Sequence, residues 1–301
     1  MQFLLFPFLI MLMTAGCTGQ GPVEVQKKKI GDVEIAYYTR GSGEPLVMIM
    51  GFRGSMGIWD PELLKALEKH YTLILFDNRG AGLSSDSVQD LTTIEQMAAD
   101  TAGLIKSLGY AKAHVLGWSM GSRIAMQLAV SYPDSVDHLI LCSPNPGKNE
   151  APRPTNAYTE LTSPDFSEDK ILSLIFPDTV AGKAAITAYV ARLTEAVIRR
   201  TVPDDLNVNA QLIERQAHAL ALWTKNNKIY DDLTYVKAPT LVTGGLEDVL
   251  DSPENVKIVA NQLPFAWTAY FPEAGHAFLF QDHQEFADLV HLFIESTRSM
   301  N

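Results

Sequence analysis

The chain has 301 residues, of which 47% are hydrophobic and 20% are charged, and its 24 Lys and Arg against 35 Asp and Glu give a formal net charge of −11. This composition is that of a globular chain with a sizeable core, which excludes a disordered or low-complexity protein. The acidic balance argues against a nucleic-acid partner, because a protein that binds phosphates needs a basic surface to replace their counterions.

The N-terminus differs from the rest of the chain. The first 16 residues contain no charged side chain, and 12 of them are apolar. Their apolar run, from Phe3 to Met13, is shorter than the roughly 20 residues that span a bilayer and fits the central region of a secretory signal. The sequence TAGC that follows, ending at Cys17, resembles the end of a bacterial lipoprotein signal, which implies cleavage before Cys17 and a lipid on this residue.

These features predict an exported protein. We expect a signal peptide over residues 1–16, a flexible tether over residues 17–24, and an extracytoplasmic location with a lipid anchor on Cys17 that holds the chain at the membrane. A secreted, a periplasmic and a cytoplasmic form remain as alternatives. The other cysteine of the sequence, Cys142, leaves too few thiols for a disulfide framework or a four-cysteine zinc site.

Apolar runs and helical periodicity alternate along the body of the chain. The pattern predicts strands over residues 33–38, 46–50, 73–76, 114–116, 139–142, 240–243 and 267–271. It predicts helices over residues 61–69, 93–108, 122–131, 253–262 and 284–298. Such alternation indicates an α/β fold with a mostly parallel sheet that is covered by helices on both faces.

Residues 144–236 interrupt this alternation. The stretch begins with four prolines and continues with helical patterns over residues 169–176, 182–201 and 209–225. We interpret it as a helical cap inserted between two parts of the core, residues 25–143 and residues 237–301.

The sequence Gly117-Trp118-Ser119-Met120-Gly121 follows one predicted strand and opens a predicted helix. This is the G-x-S-x-G pattern in the strand-to-helix context that makes it informative, because a sharp turn there exposes the serine hydroxyl. The backbone N–H of Met120, at the start of the helix, is placed to stabilise a developing oxyanion.

On these residues the chain resembles the α/β-hydrolase superfamily, and in particular its serine-nucleophile members with a helical cap. The resemblance covers residues 30–143 and 237–300, and it implies an eight-stranded, mostly parallel sheet. Residues 77–84, with the pattern D-x-R-G-x-G-x-S, are similar to a segment of the family for which we expect a structural role as a tight loop.

The family's chain order of nucleophile, acid and base implies Ser119, Asp248 and His276 as the catalytic triad. Asp248 lies in a loop after the strand over residues 240–243, and His276 lies in a Gly-His segment before the last helix. Two further acidic residues compete for the role of Asp248, and we expect Glu247 and Asp251 to be solvated loop carboxylates.

The loop after the strand over residues 46–50 reads Gly51-Phe52-Arg53. By resemblance, the backbone N–H of Phe52 completes the oxyanion hole together with that of Met120. Arg53 either pairs locally within its loop or meets an anionic group on a substrate. For the substrate pocket we expect an apolar lining by Phe52 and Trp118 and by residues of the cap. The cap candidates are Leu172, Ile175, Phe176, Tyr189, Leu220 and Trp223, whose spacing fits packing between the cap helices equally well.

These assignments predict a hydrolase of small to medium, mainly apolar carboxylic esters that acts through an acyl-enzyme on Ser119. The sequence contains no H-E-x-x-H motif and no G-x-G-x-x-G that opens a helix, so we expect neither a metal nor another cofactor. The alternatives are a cofactor-free perhydrolase or haloperoxidase-like enzyme, an aminopeptidase, a carbon–carbon bond hydrolase, and a binding protein without catalytic activity.

Overall fold

The computed structural model describes residues 22–87, 92–147, 150–152, 155–163, 166–167, 170–204, 209–225 and 228–300. The predicted signal peptide, Cys17 and most of the tether lie outside the described residues. Within the described part of the chain, no helix combines the length and the hydropathy that a membrane crossing requires.

The core is one eight-stranded sheet with the strand order β1-β2-β4-β3-β5-β6-β7-β8. The strands are β1 (Gln26–Ile30), β2 (Val33–Gly41), β3 (Glu44–Ile49), β4 (Tyr71–Phe76), β5 (Ala113–Trp118), β6 (Val136–Cys142), β7 (Thr240–Gly245) and β8 (Ala266–Phe271). The pairs β1–β2 and β2–β4 are antiparallel and all other neighbours are parallel. The predicted α/β fold with a mostly parallel eight-stranded sheet is therefore confirmed.

Eleven α-helices are found in the described part of the chain. They are α1 (Pro61–Leu67), α2 (Ile94–Ser107), α3 (Met120–Ser131), α4 (Asn156–Leu161), α5 (Ile171–Ile175), α6 (Val180–Ile198), α7 (Ala210–Lys225), α8 (Lys228–Asp232), α9 (Glu254–Gln262), α10 (Phe278–Gln281) and α11 (His283–Thr297). Buried residues of α1 and α11 form one apolar cluster with the sheet, and those of α2, α3 and α9 form a second. The sheet is thus covered on both faces, which explains why its central strands are nearly continuous apolar runs.

Helices α4 to α8 lie between β6 and β7, where the described residues contain no strand. Helix α6 packs with the α1 and α11 cluster through Tyr189, whose hydroxyl donates a hydrogen bond to the carbonyl of Ile58 at 2.8 Å. Arg192 of α6 binds the carboxylate of Asp60, which also caps the N-terminus of α1. Trp223 of α7 belongs instead to the cluster of α2 and α3. The inserted helices are therefore joined to the core on both sides of the sheet.

Candidate active site

Ser119 lies in a sharp turn between the end of β5 and the start of α3. Its backbone has φ 58° and ψ −118°, in the left-handed region that an L-residue adopts only under strain. The flanking glycines make this turn possible, because a Cβ on Gly117 would lie 2.2 Å from the carbonyl oxygen of Gly121, and a Cβ on Gly121 would lie 2.0 Å from that of Ile49. The turn leaves Ser119 partly exposed and lining a cavity.

Asp248 and His276 lie in the loops after β7 and β8, and both side chains are buried. Nδ1 of His276 is 2.8 Å from Oδ2 of Asp248. The same oxygen accepts a hydrogen bond from the hydroxyl of Ser143 at 2.8 Å, and Oδ1 accepts from the backbone N–H groups of Leu250 and Asp251 at 2.9 Å and 3.0 Å. The carboxylate is therefore fixed on both oxygens and faces the imidazole ring.

The cavity beside Ser119 and His276 has a volume of about 400 Å³. Of the residues expected to line it, Phe52, Trp118, Leu172 and Ile175 do, whereas Phe176, Tyr189, Leu220 and Trp223 do not. Phe176 is buried against Tyr189, with the ring centroids 5.9 Å apart, and Trp223 donates its indole N–H to the carbonyl of Asn145. The other lining residues are mostly apolar and are Gly51, Arg53, Ile58, Leu161, Ile171, Leu250 and Phe280.

Phe52 lies in the loop that follows β3, and Met120 is the first residue of α3. The N–H groups in the first turn of a helix have no acceptor within that helix, so the N–H of Met120 is available to an oxyanion. The loop of Phe52 is held in place by the segment over residues 77–84, because Asn78 donates to the carbonyl of Met50 at 3.1 Å and Asp77 accepts from the N–H of Met56 at 2.6 Å. These contacts fix the loop that carries Phe52, and the oxyanion role of the two N–H groups remains a prediction.

A family model for the alpha/beta hydrolase fold matches residues 44–283 of this sequence. The chain belongs to the α/β hydrolase fold family. It is 30% identical over 266 residues, 83% of this chain and 93% of the relative, to a Mycobacterium tuberculosis protein with the provisional name non-heme bromoperoxidase BpoC. It is 26% identical over 251 residues, 79% of this chain and 91% of the relative, to the pimeloyl-(acyl-carrier protein) methyl ester esterase of Nitrosomonas europaea.

A solved structure of an alpha/beta hydrolase fold protein from Chitinophaga pinensis is similar over nearly the whole chain. Its TM-score is 0.78 at 27% identity, with 92% of this chain and 98% of that chain covered. The fold of this α/β hydrolase is therefore shared with a solved relative.

Arg53 of this hydrolase is bound within the protein. Its Nε donates to the carbonyl of Leu161 at 3.1 Å and its Nη2 donates to that of Ser163 at 2.8 Å, while its own N–H donates to Oε1 of Gln216 at 3.0 Å. Of the two roles considered for Arg53, these contacts favour the local one. The guanidinium ties the oxyanion loop to the end of α4, and the same side chain lines the cavity.

Asp251 differs from the expectation that it is a solvated carboxylate. Its side chain is buried and accepts from Nη2 of Arg123 at 3.1 Å and from Nδ2 of Asn145 at 2.8 Å. Burial raises the pKa of Asp251, and the charge of Arg123 opposes that rise. Glu247 is exposed as expected. The prediction for Asp251 was wrong because its partner, Arg123, lies more than a hundred residues away in the sequence and meets it only through the fold.

Replacement of Arg123 by methionine is expected to lower the free energy of unfolding by about 3–5 kcal/mol, because it leaves a buried carboxylate without its charged partner. Unfolding by urea measures this change. The matched control is Arg199→Met, since the pair of Arg199 with Glu195 is exposed and its loss is expected to cost less than about 1 kcal/mol. Equal effects of the two substitutions would contradict the prediction.

The pKa of His276 is shifted by two opposing effects. Burial lowers the pKa, but the charge and hydrogen bond of Asp248 raise it more, so that the pKa lies above its usual value of 6.5. Only the neutral imidazole accepts a proton from Ser119. We therefore expect kcat/KM for a neutral ester to increase with pH through an ionisation whose midpoint lies above 6.5.

A pH–rate profile between about pH 5 and 9 measures this midpoint. With Asp248→Asn, the residual activity is expected to have a lower midpoint, because the negative charge that favours the imidazolium is gone. A wild-type midpoint at or below pH 6.5 would contradict the expectation that Asp248 raises the pKa of His276 more than burial lowers it.

Proposed function

We propose that this protein hydrolyses carboxylic esters of small to medium size through an acyl-enzyme on Ser119. One observation carries the proposal: Ser119, in its strained turn, and His276, fixed by Asp248, both line the same largely apolar cavity. A nucleophile, a base and an orienting acid in this arrangement are what acyl transfer requires.

The proposed reaction has two stages. The hydroxyl of Ser119 attacks the ester carbonyl while His276 takes its proton, and the N–H groups of Phe52 and Met120 stabilise the negative charge on the carbonyl oxygen. His276 then returns the proton to the departing alcohol, which leaves an acyl group on Ser119. Water, activated by His276, releases the acid and restores the serine.

The cavity supports the choice of substrate class. A volume of about 400 Å³ is at the lower end of the range for small-molecule sites, and its lining is mainly apolar. Among p-nitrophenyl esters, we expect a higher kcat/KM for the acetate, butyrate and octanoate esters than for the palmitate ester, for which kcat/KM falls sharply. A folded protein lacking residues 1–17 that cleaves none of these esters would contradict the proposal.

A second candidate is perhydrolysis, which is supported by the 30% identity to a relative named as a bromoperoxidase. In this reaction hydrogen peroxide replaces water in the attack on the acyl-enzyme and releases a peracid, which then oxidises bromide. Bromination of monochlorodimedone in the presence of acetate, peroxide and bromide measures this activity. A rate that depends on both acetate and Ser119 would favour perhydrolysis, whereas a rate equal to that without enzyme would exclude it.

We further propose that the mature chain is attached to the membrane through a lipid on Cys17. The uncharged apolar start of the sequence and the small residues before Cys17 support this location. Metabolic labelling with a fatty acid is expected to mark the wild type and the Cys142→Ala variant, because Cys142 is buried in β6. Absence of label from the wild type, or label that survives Cys17→Ala, would contradict the proposal.

A further inference from the structure

His114, Asp137 and His138 form a cluster at the edge of the sheet where β5 and β6 begin, opposite to the edge that carries Ser119. The Nδ1 atoms of His114 and His138 lie 3.2 Å and 3.0 Å from the same atom, Oδ2 of Asp137. One possible ligand atom from each of the three side chains lies within 4.8 Å of the other two. Two imidazoles and one carboxylate therefore converge on a single point.

An irregularity in the pairing of β5 with β6 brings these side chains together. One residue of β5, His114, lies opposite two residues of β6, Asp137 and His138. In a regular strand Asp137 and His138 would point to opposite faces of the sheet, because side chains alternate. Bulges are rare in parallel pairs and often redirect a side chain at a functional position.

His114 has an unusual environment for a buried side chain. It is only 2% exposed, and neither of its ring nitrogens makes a well-aligned hydrogen bond to another described residue. Its Nε2 lies 3.5 Å from a carboxylate oxygen of Glu44. A buried polar ring without well-aligned hydrogen bonds is unfavourable, and a bound cation would remove that cost.

A cavity of about 270 Å³ lies against the cluster and is also lined by Glu44, Lys112 and Arg298. The ammonium group of Lys112 contacts Asp137, but this side chain is 51% exposed and has space to move away. Glu44 is already paired with Arg298 at 2.8 Å. The cavity therefore has room for an ion and a water molecule on the open side of the three side chains.

We propose that His114, Asp137 and His138 bind a divalent transition-metal ion, for which Zn²⁺ is the best match. Zinc favours imidazole and carboxylate ligands in a tetrahedron, with bonds of about 2.0–2.2 Å that place the ligand atoms roughly 3.3 Å apart. The separations of 3.2 Å and 3.0 Å between the ring nitrogens and Asp137 are close to this spacing. Water from the cavity supplies the fourth ligand. Because the cluster lies at the edge of the sheet opposite to Ser119, the ion stabilises the fold and leaves ester hydrolysis unchanged.

The test uses the full chain, freed of metal with a chelator and titrated with ZnCl₂ in a calorimeter. We expect one ion per chain, and a Tm that increases by about 5 °C when Zn²⁺ is in hundredfold excess over its Kd. His114→Phe keeps an aromatic ring against Tyr71 and removes both ligand nitrogens. It is expected to weaken Zn²⁺ binding by at least tenfold and to abolish the Tm increase.

His70→Phe is the matched control, because His70 stacks on His291, with centroids 3.7 Å apart, in a pair outside the cluster. It is expected to bind Zn²⁺ as the wild type does. If His114→Phe does not fold, two other measurements decide the outcome. They are Zn²⁺ binding to Asp137→Asn and the visible absorption of Co²⁺ bound to the wild type. Absence of binding to the wild type, binding unchanged in both cluster variants, or binding lost in His70→Phe would overturn the proposal.

Discussion

Replacement of Ser119 by alanine is expected to lower kcat for p-nitrophenyl acetate by on the order of 10⁴-fold or more. The covalent route depends on this hydroxyl, since the described residues that line the cavity include no other serine and no cysteine or threonine. Residual hydrolysis would come from water attacking an ester that is still bound and polarised by the oxyanion hole. Steady-state kinetics on purified protein measures the loss.

The folded state of the Ser119→Ala variant should be at least as stable as that of the wild type. The methyl group replaces a hydroxyl that is partly exposed, and the strained backbone is unchanged. Ser107→Ala, at an exposed position of α2, is the control and is expected to retain full activity. If Ser119→Ala hydrolyses the ester at the wild-type rate, both the nucleophile and the proposed reaction are wrong.

Replacement of Asp248 by asparagine is expected to lower kcat by about 10⁴-fold. The carboxylate accepts the proton on Nδ1 of His276 and so leaves Nε2 as the base that faces the serine. An amide in this position removes the negative charge and can donate to Nδ1, which favours the tautomer that cannot accept the proton of Ser119. The size of the loss is measured with the same ester, at a pH above the midpoint of the wild-type profile.

Two neighbouring carboxylates distinguish this role from a general effect of charge. Glu247 is exposed and adjacent to Asp248, and the Glu247→Gln variant is expected to keep wild-type kcat. Asp251→Asn removes a buried partner of Arg123 and is expected to affect stability more than kcat per folded molecule. A large loss of kcat in Asp251→Asn with little loss in Asp248→Asn would assign the acid to Asp251 instead.

The strands of the parallel core could be predicted because burial on both faces makes each of them a short apolar run, as in β3 and β4. Strand β1 was not predicted. Its sequence, QKKKI, lies at the edge of the sheet and is mostly exposed, so no apolar alternation distinguishes it from a loop. Only its antiparallel pairing with β2 identifies this segment as a strand.

The candidate triad could be placed from the sequence because the family resemblance implies its chain order and because each member follows a strand at the carboxyl edge of a parallel sheet, where loop side chains meet. The lining of the cavity could not be placed in this way. Phe176 and Trp223 have the spacing of helix faces, and such spacing shows that a side chain is buried without showing against what. In the structure neither side chain lines the cavity, whereas Leu172 and Ile175, cap candidates with the same kind of spacing, do.

The sequence alone determined the fold class and the strained turn at Ser119, because apolar periodicity and a glycine-flanked serine are local properties of the chain. The order of the catalytic candidates is what the resemblance to the α/β-hydrolase family implies. Only the tertiary structure decided that Arg123 neutralises Asp251 and that a bulge between β5 and β6 joins His114 to Asp137 and His138. These contacts join positions far apart in the chain, and their existence depends on strand register and burial. Strand register leaves no periodic signal in the sequence, and apolar spacing shows that a side chain is buried without showing which partner it meets.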